Sequence, residues 1–311
     1  MTDSFEHREV HANGTRLHVV EAGRGPMVLL VHGFPLYWWT WRKTIEHLAD
    51  NGFRAVAVDL RGYGGSDHPP RGYDAPNLAS DLAGVVRSLG EPGAAIVGHG
   101  TGGLLAWTTA ALFPQVVHRL VVVDAPHPVR MRYSLLHDRA QLAALKYVIG
   151  FQRPWLPERQ LCASDAVWVD RFLRQWSGSP AWPTTEVSDR FRQEFLVKNT
   201  AHCALEFDRW AVRSIPRPDG RRYMKAMQLS PVTAPVLQLH GAGDRNILPR
   251  SALGSEKFVA APYAWRLIGG AGHFPQEEKP DAFNEILLAW LLSTPPWSDE
   301  PRALSGGAGP G

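Results

Sequence analysis

Apolar runs of strand length alternate with segments of helical periodicity along the first part of the chain. The continuous apolar run at Met27–Val31 is typical of a strand that is buried on both faces, and residues 53–58 are predicted to form the next strand. Before them, two extended segments flank Asn13-Gly14, a dipeptide that favours a tight hairpin turn. Helices are predicted from about Trp39 to Asp50 and over residues 77–89. The alternation of strands and helices predicts an α/β fold, with a mostly parallel sheet flanked by helices.

The pattern changes after the sixth predicted strand. Roughly a hundred residues then show helical periodicity with Trp, Phe and Arg on their faces, before strands resume near Pro235 and Trp265 and a helix follows over about residues 281–292. We predict an α/β core over residues 1–128 and 230–296, and a helical cap over residues 129–229 inserted after the sixth strand. The Pro-, Gly- and Ser-rich tail over residues 297–311 is predicted to be disordered.

One short segment carries the most specific chemical pattern. Gly98-His99-Gly100-Thr101-Gly102 joins an apolar strand run to a helical segment. A small residue, any residue, a nucleophile, any residue and a small residue in this setting form a nucleophile elbow. Gly98 and Gly102 occupy the two small positions, but the nucleophile position is Gly100, which has no side chain with which to attack. The sequence therefore predicts a hydrolase framework with a vacant nucleophile position.

Composition excludes several classes of protein. The chain has 311 residues, 44% of them hydrophobic and 20% charged, with a formal net charge of +3, which does not indicate nucleic-acid binding. No apolar stretch approaches the roughly 20 residues of a membrane span, and the first residues do not resemble a signal peptide. Cys162 and Cys203 lack metal-type spacing. We predict a cytoplasmic protein with reduced thiols, no metal, no cofactor, no nucleic-acid partner, no membrane association and a small-molecule ligand; its oligomeric state stays open.

Four further motifs occur in a characteristic order. They are His32-Gly33-Phe34-Pro35, the glycine-rich loop over residues 59–67, Gly241-Ala242-Gly243-Asp244, and Gly270-Ala271-Gly272-His273-Phe274. Together with the elbow they resemble the α/β-hydrolase family, and within it the epoxide hydrolase and haloalkane dehalogenase branch. The resemblance extends over nearly the whole chain, and it implies the α/β-hydrolase fold with a helical cap.

The resemblance implies that Asp244 and His273 are the catalytic acid and base. Both residues follow late strands, and loops after parallel strands meet at the carboxyl edge of the sheet. Asp124, at the end of an earlier strand, is a second candidate for the acid because some relatives place the acid there. The alternative without catalysis is that Asp244 caps a turn and that His273 fills a loop.

The same resemblance implies roles for residues around the elbow. The backbone N–H groups of Phe34 and Thr101 would form the oxyanion hole, which does not depend on the missing nucleophile side chain. Tyr147, Trp38 and His32 would contact the substrate. Tyr147 stands where epoxide hydrolases carry the first of two cap tyrosines that hold and protonate the epoxide oxygen.

The second cap tyrosine is replaced. It is expected within the segment Ala204-Leu205-Glu206-Phe207-Asp208-Arg209, where this chain has Asp208. Two groups of the usual epoxide mechanism are therefore absent, the nucleophile and the second tyrosine.

Three hypotheses account for this combination. In the first, the chain is a hydrolase that acts on a small apolar epoxide or a related electrophile, and the Asp244–His273 pair activates a water directly. In the second, it is an inactive relative that binds a small apolar ligand or a protein partner. In the third, Gly100 is an engineered replacement in an epoxide hydrolase or an esterase.

Overall fold

Eight strands form one sheet in the computed structural model, which describes residues 5–293. The strands are β1 (Glu6–Ala12), β2 (Thr15–Ala22), β3 (Met27–Val31), β4 (Arg54–Val58), β5 (Ala94–His99), β6 (Val117–Val123), β7 (Val236–Gly241) and β8 (Tyr263–Ile268). Their order across the sheet is β1-β2-β4-β3-β5-β6-β7-β8. Strand β2 pairs antiparallel with β1 and β4, and every other pair is parallel. The predicted α/β class and mostly parallel sheet are confirmed.

The central strands have the burial that their apolar runs predict. Every residue of β3, β5 and β7 is buried, because helices cover both faces of the middle of the sheet. In the parallel register Leu30 lies opposite Val97, and Val97 lies opposite Val121. The ends of β3, β5 and β7 therefore reach one edge of the sheet together, and the loops that carry the candidate site start there.

Thirteen α-helices accompany the sheet within the described residues. Those outside the stretch between β6 and β7 are α1 (Arg42–Asp50), α2 (Ala75–Ser88), α3 (Thr101–Leu112), α11 (Pro249–Ala252), α12 (Pro275–Glu278) and α13 (Pro280–Ser293). Those between β6 and β7 are α4 (Pro128–His137), α5 (Arg139–Ala144), α6 (Lys146–Phe151), α7 (Leu156–Trp176), α8 (Thr185–Leu196), α9 (Thr200–Arg213) and α10 (Pro218–Leu229). The predicted helical insertion after the sixth strand is confirmed.

Helix ends differ from the sequence prediction by a few residues. The helix predicted over residues 77–89 begins at Ala75, because Asp74 caps it by accepting a hydrogen bond from the backbone N–H of Asn77. The helix predicted from about Trp39 begins with a 3₁₀ turn, Trp38–Trp41, before α1. The proposed domain boundaries at residues 129 and 229 stay predictions, and the predicted disordered tail lies outside the described residues.

Among the helices of residues 5–293, none is both long enough and apolar enough to cross a bilayer.

Candidate active site

The segment predicted to form an elbow is a sharp turn from a strand into a helix in the structure. Strand β5 ends at His99 and helix α3 begins at Thr101, so the whole reversal takes place at Gly100. Gly100 has φ +54 and ψ −117, a conformation that residues with a side chain rarely adopt. A Cβ at Gly98 would collide with the carbonyl oxygen of Gly102, and a Cβ at Gly102 would collide with that of His32. The two flanking glycines are therefore required by the close approach of the backbone.

Gly100 is different, because a side chain there would have room. A Cβ on Gly100 would lie 3.4 Å from Nε2 of His273 and 3.9 Å from Cα of Gly33, which are ordinary contact distances. A side chain at position 100 would therefore point towards His273. That this position is a vacant nucleophile position stays a prediction.

His273 and Asp244 form a buried hydrogen-bonded pair. Nδ1 of His273 lies 2.7 Å from Oδ2 of Asp244, and the other carboxylate oxygen accepts the backbone N–H groups of Asn246 and Ile247 at 2.8 and 3.0 Å. Burial alone would lower the pKa of His273, but Asp244 raises it above its ordinary value. For Asp244 the effect of burial is outweighed by His273 and His240, which hold its pKa below the usual range. The pair has the geometry of a carboxylate that orients a base.

Asn246 is a site residue that the sequence analysis missed. Because Asp244 only accepts, Nδ1 of His273 carries the proton, and Nε2 accepts a hydrogen bond from the Asn246 side-chain amide at 3.1 Å. The amide oxygen in turn accepts the Tyr147 hydroxyl at 3.1 Å. A lone asparagine two residues after the acid has no motif that would single it out. We call the hydrogen-bonded series Tyr147–Asn246–His273–Asp244 the site network.

A second acidic side chain, that of Asp124, lies beside the site network. Oδ1 of Asp124 accepts the backbone N–H of Gly241 at 2.8 Å and lies 3.5 Å from Nε2 of His240, which is itself 3.4 Å from Asp244. Burial raises the pKa of Asp124 to about 7, although His240 opposes the shift. His240 therefore lies near both carboxylates, and Asp244 is the one that contacts His273 at hydrogen-bond distance.

These buried groups are poorly suited to a metal ion. Single ligand atoms of Asp124, His240 and Asp244 come within 4.8 Å of one another. However, Nε2 of His240 lies 2.7 Å from the carbonyl oxygen of Ile247, to which it donates, so this nitrogen cannot also bind a cation. The donor set fits a hydrogen-bond network better than a metal centre.

The loop that carries His273 is held from two directions. Nε2 of His99 donates to the backbone carbonyl of His273 at 2.6 Å, and burial lowers the pKa of His99 to about 3, so its ring is neutral. The Glu278 carboxylate accepts the backbone N–H groups of Gly272 and Phe274, each at 3.1 Å. These contacts hold the backbone of the loop on both sides of His273.

The two amides expected to form an oxyanion hole lie close to the elbow. Thr101 is the first residue of α3, so its N–H has no acceptor within the helix. A Cβ on Gly33, the residue before Phe34, would come within 2.9 Å of the Thr101 nitrogen, which shows how closely the two loops approach. The oxyanion role of Phe34 and Thr101 stays a prediction.

Aromatic rings cover the elbow and make its surroundings apolar. Phe34 contacts four rings from cap helices at centroid distances between 5.6 and 6.2 Å, those of Phe151, Phe172, Trp176 and Phe195. Trp176 also packs edge-on against His273 at 5.6 Å. Polar groups in such a setting interact more strongly than they would in water.

In the structure, the side chains of His32 and Trp38 contact neighbouring segments of the protein. His32 is fully buried: Nε2 accepts the backbone N–H of Leu60 at 3.0 Å, and burial lowers its pKa to about 4. Trp38 packs edge-on against Phe5 and His7 of the N-terminal segment at 6.2 and 5.4 Å. Both side chains tie the loop after β3 to its neighbours, and the expected substrate contacts of these two residues stay predictions.

Asp208 lies on helix α9 within the electrostatic reach of two phenols. Burial raises the pKa values of Tyr63 and Tyr147, and the Asp208 carboxylate raises both further. Burial also raises the pKa of Asp208 itself to about 7. A carboxyl group with such a pKa is protonated in a large fraction of molecules near neutral pH and can donate a proton.

Replacing Asp208 with asparagine is expected to change how stability depends on pH. The folded pKa of about 7 exceeds the ordinary carboxyl value, so the contribution of Asp208 to stability is complete at acidic pH and is lost as the pH rises through 7. Asp208→Asn should match the parent at about pH 4 and exceed its free energy of unfolding by on the order of 1 kcal/mol at about pH 8. Urea unfolding at both pH values measures this, with Asp219→Asn, an exposed carboxyl, as control. Equal pH dependence in parent and Asp208→Asn would show that Asp208 titrates normally.

Comparison with known proteins agrees with this geometry. A family model described as the alpha/beta hydrolase fold matches residues 26–280. Epoxide hydrolase 3 of Xenopus tropicalis is 32% identical over 288 residues, which cover 90% of this chain and 75% of that protein. The crystal structure of epoxide hydrolase A from Mycobacterium thermoresistibile has a TM-score of 0.78 and 28% identity, covering 93% of this chain and 98% of that one. Cfl2 from Burkholderia cenocepacia has a TM-score of 0.82 and 29% identity, covering 92% of this chain and 95% of that one.

The sheet order, the elbow and the family match show that the chain belongs to the α/β-hydrolase family. Within that family it lies in the epoxide hydrolase-like branch, as the similarity to epoxide hydrolases from several organisms shows. The resemblance inferred from the sequence motifs is thereby confirmed.

Proposed function

We propose that this protein hydrolyses a small apolar epoxide, or a related electrophile, by direct attack of water and without a covalent intermediate. One observation carries the proposal. Position 100 has the backbone of a nucleophile, and a Cβ there would lie 3.4 Å from Nε2 of His273, yet glycine leaves that position free of side-chain atoms. A water at that place would lie beside a base that Asp244 already orients.

In the proposed step the water oxygen bonds to an epoxide carbon while the bond from that carbon to the ring oxygen breaks. The water proton passes to Nε2 of His273, and Asp244 stabilises the imidazolium that forms. The ring oxygen takes a proton from the Tyr147 hydroxyl, or from Asp208 when that carboxyl is protonated. Solvent then returns the proton from His273 to the donor. The product is a diol, and no oxidant or cofactor takes part.

For this reaction, the hydrogen bond from the Asn246 amide to Nε2 of His273 has to break. Nε2 of His273 has one lone pair, and Asn246 occupies it in the structure. A substrate oxygen that accepts the Tyr147 hydroxyl would take that donor away from Asn246. The released amide could then turn away from His273, so that substrate binding and base activation would be coupled.

The same contact favours a second candidate function. If Asn246 keeps its hydrogen bond to His273 in the presence of a ligand, the base is never available. The protein would then be an inactive relative that binds a small apolar compound under its cap.

A single turnover in ¹⁸O-labelled water tests the proposal. With enzyme in excess over an aryl epoxide, we expect the diol from the first turnover to carry one labelled oxygen, because the attacking oxygen comes from water. Unlabelled diol would overturn the proposal, since the oxygen would then come from a protein carboxylate. Absence of diol would also overturn it and would support the ligand-binding alternative.

A further inference from the structure

Two neighbouring segments of the helical cap form one exposed edge. The first, residues 146–159, contains α6 and the start of α7, and the second, residues 213–222, runs from the end of α9 into α10. They are joined by Arg213, which donates to the side-chain oxygen and to the backbone carbonyl of Gln152, each at 3.2 Å. We call these two segments together the cap edge.

The cap edge exposes large apolar side chains. Trp155 is 78% exposed, more than any other large hydrophobic side chain of residues 5–293, and its φ of +58 is a left-handed conformation that bulky residues rarely adopt. Ile149 and Ile215 are 66% and 64% exposed, and Leu156 is 41% exposed. Because water solvates such groups poorly, the edge favours contact with another apolar phase or molecule.

The same edge carries a large positive charge. It contains seven exposed basic residues, namely Lys146, Arg153, Arg159, Arg213, Arg217, Arg221 and Arg222. Within residues 5–293 none of the seven forms a salt bridge, whereas Arg209 beside them pairs with Glu158 at 2.7 Å. Apart from Glu158, the edge has one acidic residue, Asp219. The cap edge is therefore both apolar and strongly cationic, which favours an anionic partner that also offers an apolar layer.

A lipid bilayer with anionic headgroups matches both properties. Its phosphate groups attract Lys and Arg, and its interface accepts Trp and aliphatic side chains. A nucleic acid would pair with the cations but would leave Ile149 and Ile215 without an apolar partner. A second copy of the chain would bring the same positive charges together, which is repulsive.

We propose that the cap edge binds the surface of membranes that contain anionic phospholipids. The side chains of Trp155, Ile149 and Ile215 enter the interface, and the basic residues pair with lipid phosphates. This binding is peripheral and requires no spanning helix. From the sequence we expected no membrane association, because it does not show that two segments far apart in the chain share one edge. The binding does not depend on the proposed hydrolysis.

Co-sedimentation with lipid vesicles at low salt tests the proposal. We expect binding to equimolar phosphatidylcholine and phosphatidylglycerol to be about tenfold or more tighter than binding to phosphatidylcholine alone, and to weaken as salt is added. Arg153→Gln combined with Arg217→Gln should weaken binding to the mixed vesicles about tenfold or more. Arg266→Gln, which removes an exposed arginine of β8, is the matched control and should bind like the parent.

A second pair of variants tests the apolar contribution. Trp155→Ser should weaken binding to the mixed vesicles about tenfold, whereas Leu267→Ser, at a 51% exposed leucine of β8, should leave it unchanged. Both side chains are exposed, so both variants should keep the thermal stability of the parent.

Three results would overturn the proposal. The first is no binding to the mixed vesicles, or binding that the cap-edge variants leave unchanged. The second is tighter binding to a single-stranded oligonucleotide than to the mixed vesicles, which would assign the edge to a nucleic acid. The third is a dimer that Trp155→Ser dissociates in the absence of any vesicle binding, which would assign the edge to a second copy of the chain.

Discussion

Replacing Gly100 with aspartate is expected to give the protein a covalent route and to raise epoxide turnover by roughly a hundredfold or more, because the nucleophile becomes part of a preorganised site. The backbone at position 100 already has φ +54, and a Cβ would lie 3.4 Å from Nε2 of His273. The new carboxylate would attack the epoxide carbon, and His273 would then activate water against the ester. Strain from the positive φ should cost ~1–3 kcal/mol of stability.

Mass spectrometry and isotope labelling check this result. In Gly100→Asp combined with His273→Gln, we expect the ester to accumulate as an adduct with the mass of one substrate. In Gly100→Asp alone, the first turnover in ¹⁸O-labelled water should give unlabelled diol. Gly100→Asn is the matched control, because it has the same shape and the same backbone strain without the nucleophile. Equal turnover in Gly100→Asp and Gly100→Asn would show that position 100 does not face the substrate.

Replacing Asp244 with asparagine is expected to lower the turnover of the unmodified site by about a thousandfold to ten-thousandfold. Asp244 accepts the Nδ1 proton of His273 at 2.7 Å and raises the pKa of that imidazole. An asparagine amide can donate to Nδ1 and so favour the wrong tautomer, with the proton on Nε2. His273 could then no longer take a proton from water.

Steady-state turnover of the same epoxide measures the loss, and thermal unfolding shows whether Asp244→Asn remains folded. Asp219→Asn, at an exposed position, should keep full activity. Asp124→Asn distinguishes the two candidate acids, because Asp124 contacts His240 whereas Asp244 contacts His273. Full activity in Asp244→Asn together with loss in Asp124→Asn would move the acid role to Asp124.

Local patterns were enough to predict the scaffold. Apolar runs such as Met27–Val31 are buried on both faces, and the Asn13-Gly14 dipeptide lies between β1 and β2, because short-range preferences and burial act together at these places. Helix starts were less accurate, since Asp74 begins α2 two residues earlier than the periodicity indicated.

Several contacts around His273 could not be predicted from the sequence. Asn246 contacts His273, and Glu278 contacts the loop that carries it, yet neither belongs to a motif of the sequence. Asn246 lies 27 residues from His273, and Glu278 also accepts the backbone N–H of Gly178, 100 residues away, so no local pattern relates these groups. Asp208 was singled out only because a tyrosine was expected in its place, and its effect on Tyr63 and Tyr147 depends on how α9 packs.

The amino-acid sequence alone was sufficient to predict the α/β-hydrolase fold and the helical insertion after the sixth strand, and it places Gly100 between two glycines that the backbone requires. These features follow from periodicity, from turn chemistry and from glycines that the backbone requires. The partner of Nε2 of His273 and the link from Asn246 to Tyr147 required the folded arrangement. The reason is physical: these contacts join the cap to loops of the sheet, and long-range packing determines them, whereas local preference does not.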